Sequence, residues 1–169
     1  MVLVKSELIA QLQKEVDILV HLSSKIDRSK LDYRPTPKQR SIIELLRYLS
    51  IMGPNLVLGA KSGAFDREAW QAASKAAEAR DFDQTMAVIA GEKELYAMEL
   101  GSMSDADFRS EMDNFDGSKI SRGLFIVNLV LGGHVAYRTQ LFCYLKACGR
   151  DELGTMNLWY GVDPPPPAK

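Results

Sequence analysis

One stretch decides the fold: Ser121-Arg-Gly-Leu-Phe-Ile-Val-Asn-Leu-Val-Leu-Gly-Gly-His-Val-Ala-Tyr-Arg-Thr-Gln-Leu-Phe-Cys-Tyr-Leu-Lys-Ala147. Its apolar residues recur at helical spacing, which predicts a single helix of about 40 Å at 1.5 Å per residue. Gly149 is a suitable stop signal for that helix. The first half is apolar on nearly every face. A helix of this kind is buried on several sides, either within a bundle or against a second subunit.

Two polar side chains interrupt this apolar helix. His134 and Arg138 lie one turn apart on a stripe that is otherwise aliphatic. A histidine and an arginine that face a bundle interior are costly unless they are paired or hydrated. Either they line a wet pocket in which Arg138 holds an anion, or carboxylates satisfy them. The candidate carboxylates are Glu44, Glu92, Glu94 and Glu99.

The rest of the chain has helical periodicity and no sustained strand alternation. Ser41 and Glu44 form a capping box that begins a helix, and Gly53-Pro54 is expected to kink or interrupt it. We predict an all-α, antiparallel four-helix bundle with a long crossover between helices 2 and 3 and short extra helices. Residues 1–150 form its single domain and residues 151–169 a tail, Pro-rich at its end. The other predicted helices are Ser6–Ile26, Asp66–Arg80, Asp83–Met103, and a short one that begins after Ser104 and ends near Met112.

Composition excludes several classes of function. The chain has 169 residues with 21 Lys+Arg and 22 Asp+Glu, so its net charge of -1 argues against a nucleic-acid partner. The longest apolar run, Leu124–Gly133, is about half of what a bilayer needs, and Lys5 and Glu7 come before any hydrophobic stretch of signal-peptide length, so we expect neither a membrane span nor secretion. Cys143 and Cys148 are five residues apart without a CxxC motif or a His/Cys cluster, so we expect reduced thiols and a cytoplasmic location, with a redox pair as the alternative.

The chain has only two histidines, which nearly excludes a multi-histidine metal site. The second, His21, is expected to be solvated and paired with Asp17.

Two short motifs suggest a family. Arg34-Pro-Thr-Pro-Lys-Gln-Arg-Ser41, followed by Leu45-Leu-Arg-Tyr-Leu-Ser50, resembles the passage from helix 1 to helix 2 of DinB-like (DinB/YfiT) proteins. Tyr137-Arg-Thr-Gln140, followed by Leu145 and Gly149, resembles their helix 4 motif. The resemblance implies a four-helix bundle with a long crossover. It also implies a three-histidine metal site, and some relatives are thiol-dependent transferases or isomerases.

The chain departs from this family at the metal ligands. Tyr48 stands at the position of the helix 2 histidine. On helix 4, one register places Gly133 and Tyr137 at the two histidine positions, and a shift of one residue places His134 and Arg138 there. Neither register restores three histidines. Glycine has no ligand atom, arginine stays protonated, and neutral tyrosine is a poor ligand for divalent metals.

We therefore expect a member of this family with a degenerate metal site and no cofactor. Its pocket, lined by Tyr48, His134, Tyr137 and Arg138, is predicted to bind a small anionic or polar molecule. A homodimer through apolar helix surface is the expected assembly. The alternative is a transferase or hydrolase, metal-independent or weakly metal-dependent, that uses His134 as general base with a tyrosine as proton donor.

Overall fold

The computed structural model describes residues 3–165 and is built from helices, apart from one small hairpin. Four long helical elements form an antiparallel bundle, as predicted. In chain order the elements are α1 (Lys5–Ser23), a 3-10 turn (Arg28–Lys30), α2 (Ile42–Ser62), α3 (Arg67–Glu78), α4 (Phe82–Gly101), α5 (Asp105–Arg109), β1 (Glu111–Asp113), β2 (Lys119–Ser121), α6 (Arg122–Phe125), a π-helical segment (Ile126–Leu131), α7 (Gly132–Ala147) and α8 (Thr155–Tyr160).

Local signals set most of the helix ends. The Ser41 side chain accepts from the Glu44 backbone amide, and the Glu44 carboxylate accepts from the Ser41 amide at 2.8 Å, which confirms the predicted capping box. Gly63 ends α2 with a φ of 88°, a left-handed conformation that glycine adopts without a steric penalty. Pro54 does not interrupt α2, contrary to one of the two predicted outcomes. The helix runs through it, and the Asn55 side chain donates to the Ile51 carbonyl at 2.7 Å.

The predicted fourth helix is continuous in direction but changes its winding. It begins as α6, loosens into the π segment, and returns to α-helical winding in α7. The sequence did not predict this loosening. Single π turns inside α-helices occur often at functional sites.

The long crossover lies between α2 and α4 and carries α3, which packs on α2. In the bundle, α4 packs along α1 and α2, and α7 packs against the same two helices. The largest fully buried side chains are Tyr96 and Phe125, within an aliphatic core contributed by all four long elements. This arrangement places α2 and the π segment side by side, where the groove described below is found.

Three elements in these parts of the chain were not predicted, the strands β1 and β2 and helix α8. The strands β1 and β2 pair as an antiparallel hairpin, with Met112 opposite Ile120. Helix α8 packs on α1, so the described part of the tail lies on the bundle, with Asn157 buried. The predicted proline run Pro164–Pro167 lies only partly within the described residues.

Asn157 also changes the environment expected for His21. The Asn157 side-chain nitrogen lies 3.0 Å from His21 Nε2, and Asp163 lies 3.7 Å from the same atom. Asp17 instead pairs with Lys93. The predicted Asp17–His21 pair is therefore wrong, because α8 and the chain that follows it cover this turn of α1.

One helix, α2, has the length and composition of a membrane span. However, 67% of its apolar window is buried within the fold, as expected for the core helix of a bundle.

Candidate functional site

An aromatic groove of about 550 Å³ lies between α2, α3 and the junction of the π segment with α7. That volume falls in the range of small-molecule sites. Side chains of Asn128 and Leu129 come from the π segment. None of the lining residues is charged. They are Tyr48, Met52, Leu56, Phe65, Trp70, Phe115, Asn128, Leu129, Gly132, Gly133, Ala136 and Tyr137.

Tyr48 is at the centre of the ring contacts in this aromatic groove. Its ring meets those of Tyr137 and Trp70 edge-on, at centroid distances of 5.0 and 6.0 Å. The Arg40 guanidinium lies 4.0 Å from the centroid of the Tyr48 ring. Burial and the nearby Tyr137 hydroxyl raise the pKa of Tyr48, so its phenol stays neutral. The groove thus combines aromatic walls and two phenol hydroxyls, while Arg40 packs on the Tyr48 ring from a neighbouring pocket and does not itself line the groove.

Gly133 faces the same groove, opposite α2. A Cβ placed on Gly133 would lie 2.8 Å from the sulfur of Met52, so the thioether occupies the space that a side chain would need. Of the two registers considered for the helix 4 motif, the pair Gly133 and Tyr137 therefore faces Tyr48. His134 and Arg138 point elsewhere.

His134 belongs to a buried cluster with two residues of α4. The Tyr96 hydroxyl donates to Glu92 Oε2 at 2.8 Å and lies 2.7 Å from His134 Nε2. His134 Nε2 is 3.5 Å from the same Glu92 oxygen. Glu92 was one of the four carboxylates predicted as partners. Space for this cluster depends on Gly53, where a Cβ would lie 1.8 Å from the Tyr96 hydroxyl.

Burial sets the charge of this cluster. It raises the pKa of Glu92 to about 8 and lowers the pKa of His134 to about 4. Both groups are therefore neutral at neutral pH, because an apolar interior disfavours each charged form. Glu92 Oε1 and His134 Nδ1 have no hydrogen-bond partner among the described residues.

Arg138 lies in a second buried cluster, formed with α1 and α8. Its Nε donates to Glu15 Oε2, and its Nη1 donates to the Leu158 carbonyl. The other Glu15 oxygen accepts from Gln11 at 3.0 Å. Trp159 covers the guanidinium, with the ring centroid 5.7 Å from Cζ. A carboxylate therefore satisfies Arg138, but it is not one of the four that were considered.

The structure thus brings two of the four predicted pocket residues together. Tyr48 and Tyr137 line the aromatic groove, whereas His134 and Arg138 lie in the two buried clusters. Sequence reasoning missed Glu15, although a signal was present. Glu15 falls on the apolar stripe of α1 between Leu12 and Leu19, where a carboxylate needs a buried partner.

Comparison with solved structures identifies the architecture. The chain superposes on the crystal structure of a DinB-like protein, YjoA, from Bacillus subtilis with a TM-score of 0.67, covering 88% of this chain and 96% of that one at 15% identity. The chain has the DinB-like fold. It also matches the mycothiol-dependent maleylpyruvate isomerase with a TM-score of 0.58 at 10% identity, covering 87% of this chain but only 61% of the isomerase. No family model matches the sequence, and no curated protein is significantly similar to it.

The DinB-like resemblance implies a metal, and the residues at the implied ligand positions do not fit one. Tyr48 and Tyr137 offer only phenol oxygens, which are poor ligands for divalent metals, and Gly133 offers no ligand atom. The Met52 thioether beside Gly133 is a soft donor, unsuited to the divalent ions that imidazole sites hold. Among residues 3–165, no three His, Cys, Asp or Glu side chains lie close enough together to hold a metal ion.

Proposed function

We propose that this DinB-like bundle lacks the three-histidine metal site and binds a small organic molecule in the aromatic groove. The molecule has an aromatic or aliphatic body and an anionic or hydrogen-bonding group. The observation that carries this proposal is the edge-on contact of Tyr48 and Tyr137 at the wall of a groove with no charged lining residue.

The walls of the groove and the neighbouring Arg40 favour different parts of such a ligand. Trp70 and Phe115 offer apolar surface to its body. The two phenols supply hydrogen bonds that fix its orientation. Arg40, beside Tyr48, is a suitable partner for a carboxylate or phosphate, since a guanidinium binds both in a bidentate geometry.

The enzymatic alternative depends on His134 as general base and stays a prediction. A general base must reach its substrate within hydrogen-bonding distance. His134 is 1% exposed, its Nε2 contacts Tyr96, and it does not line the aromatic groove. These features favour a binding function over the enzymatic one.

A thermal-shift and calorimetric screen tests the binding proposal. The probes are benzoate, 3-phenylpropionate and phenyl phosphate, each compared with a neutral analogue such as benzamide. We expect aromatic anions to raise the melting temperature. Loss of a charged hydrogen-bonding partner costs about 1.5–3 kcal/mol. Arg40→Gln should therefore lower the affinity for the anionic probes by about tenfold or more and leave the affinity for benzamide unchanged.

Variants of the groove give the second part of the test. Trp70→Ala and Tyr137→Phe should both weaken binding, whereas Tyr160→Phe on α8, which lies outside the groove, should not. The binding proposal fails if no probe stabilises the wild-type protein. It also fails if Trp70→Ala binds every probe as tightly as the Tyr160→Phe control.

We also propose a cytoplasmic homodimer. The free thiols of Cys143 and Cys148 support the location. Leu124 and Val135, both exposed on the outer side of α6 and α7, support association through helix surface.

A further inference from the structure

The buried carboxyl of Glu92 has one oxygen without a hydrogen-bond partner in the part of the chain that the structure describes. Its Oε2 accepts from Tyr96, but Oε1 has no hydrogen-bond partner among the described residues, although the side chain is 1% exposed. An unsatisfied buried polar atom costs about 1–3 kcal/mol. A ligand that donates a hydrogen bond to this oxygen would explain why no side chain within residues 3–165 does so.

A second groove is lined in part by Glu92, although the Oε1 atom itself is buried beneath its surface. It has a volume of about 350 Å³, lies between α2, α3 and α4, and shares no lining residue with the aromatic groove. We call it the Glu92 groove. Gly91 leaves space at its wall, because a Cβ there would meet nothing within 4 Å. The lining residues are Ser50, Ile51, Pro54, Asn55, Ala73, Arg80, Ala87, Val88, Gly91, Glu92 and Leu95.

The floor of the Glu92 groove is rich in hydrogen-bond acceptors. Pro54 has no N–H and cannot donate to the Ser50 carbonyl one turn earlier, so the ordinary helical partner of that carbonyl is missing. Once Glu92 is ionised, above its pKa of about 8, its Oε1 is a second acceptor without a hydrogen-bond partner among residues 3–165. Two acceptors in one groove favour a ligand group with several N–H donors, and a primary ammonium carries three.

The other charged residue of this groove is Arg80, which precedes α4. Its Nη1 donates to the Ser50 hydroxyl at 3.0 Å, which holds the half-buried guanidinium in place. Arg80 forms no ion pair with Glu92 within residues 3–165, although the two line the same groove. The remaining guanidinium N–H groups can therefore serve a carboxylate.

We propose that the Glu92 groove is a second binding site, which takes a small zwitterion with a primary ammonium at Glu92 and a carboxylate at Arg80. The ammonium donates to Glu92 Oε1 and to the Ser50 carbonyl. The aliphatic chain between the two charges lies against Val88 and Leu95. This site is independent of the aromatic groove, so either site can fail its test without affecting the other.

Three matched probes test the charge pattern: 4-aminobutyrate, butylammonium and butyrate. Binding is followed by amide chemical shifts of the 18.8 kDa protein. The titrations are run at about pH 8.5, where Glu92, with a pKa of about 8, is mostly ionised and a primary ammonium is still charged. We expect saturable shifts at Gly91 and Asn55, but not at Gly133, with 4-aminobutyrate binding at least tenfold more tightly than butyrate.

Variants assign each end of the ligand. Glu92→Gln should weaken both ammonium probes at least tenfold, whereas Glu94→Gln, an exposed residue of the same helix, should leave binding unchanged. Arg80→Gln should weaken 4-aminobutyrate and leave butylammonium unchanged. Ala87→Trp should block the groove without altering the Glu92 cluster, which keeps the test valid if a charge variant unfolds. The proposal is overturned if neither ammonium probe gives saturable shifts at Gly91, or if Glu92→Gln binds them as the wild type does.

Discussion

Replacing Glu92 by glutamine should change how the stability of the protein depends on pH. Burial raises the pKa of Glu92 from 4.5 to about 8. The folded state thus keeps the carboxyl neutral, and the stability that this provides is lost as the pH rises from 4.5 towards 8. His134 behaves in the opposite way. Because its pKa is lowered from 6.5 to about 4, its contribution is lost as the pH falls from 6.5 towards 4.

The size of the effect follows from these pKa values. Between pH 4.5 and 6.5 the two residues change the unfolding free energy with pH in opposite directions and by equal amounts, because the unfolded chain holds a proton on His134 and the folded chain holds one on Glu92. Above pH 6.5 only Glu92 contributes, at about 1.4 kcal/mol per pH unit. Over the 1.5 units from pH 6.5 to pH 8, the wild-type protein should lose about 2 kcal/mol of unfolding free energy from this residue.

Urea denaturation at a series of pH values measures this loss. Glu92→Gln keeps an oxygen that can accept from Tyr96 but cannot ionise, so its unfolding free energy should be flatter above pH 6.5. Glu94→Gln, at an exposed position of α4, should follow the wild-type curve. The reasoning is refuted if Glu92→Gln and Glu94→Gln lose the same unfolding free energy between pH 6.5 and pH 8.

Three further predictions concern packing, the second buried cluster and assembly. Gly53→Ala should destabilise the protein by about 1–3 kcal/mol, because its Cβ would overlap the Tyr96 hydroxyl. Gly91→Ala, which has open space around its Cβ, should not destabilise it. Equal denaturation midpoints for the two variants would contradict this prediction. Arg138→Met should lower the free energy of unfolding by about 3–5 kcal/mol, because it leaves Glu15 as an unpaired buried charge. In a double-mutant cycle, Glu15→Gln combined with Arg138→Met should recover part of that free energy. If the double variant were no more stable than Arg138→Met, the proposed energetic coupling of Arg138 and Glu15 would be contradicted. Light scattering should give about twice the 18.8 kDa chain mass, and a species of 18.8 kDa would rule out the dimer.

Local chemistry explains which parts of the fold could be predicted. Ser41 and Glu44 set the start of α2 through contacts three residues apart, and Ser104 does the same for α5. The helical spacing of apolar residues predicted all four long elements. The π segment was missed because the same apolar pattern fits either α or π winding, and the choice between them depends on what packs against Ile126–Leu131.

The candidate site was harder to predict, because its parts come from distant segments. Tyr48 and Tyr137 followed from the family resemblance. Trp70 and Phe115 belong to the crossover and to the hairpin loop, whose paths are not determined by local spacing.

His134 and Arg138 show a similar limit. They share one face of α7, yet α4 meets the first and α1 meets the second. Helix periodicity identifies the buried face, but the neighbour that each residue meets depends on how the helices cross.

The most direct test of the account is a crystal structure of the protein soaked with both zinc and the tightest aromatic anion from the screen. We expect density for the organic anion in the aromatic groove beside Tyr48 and Tyr137, with its charged group towards Arg40 and no metal ion in the groove. A metal ion coordinated between α2 and α7 in place of the anion would contradict the account.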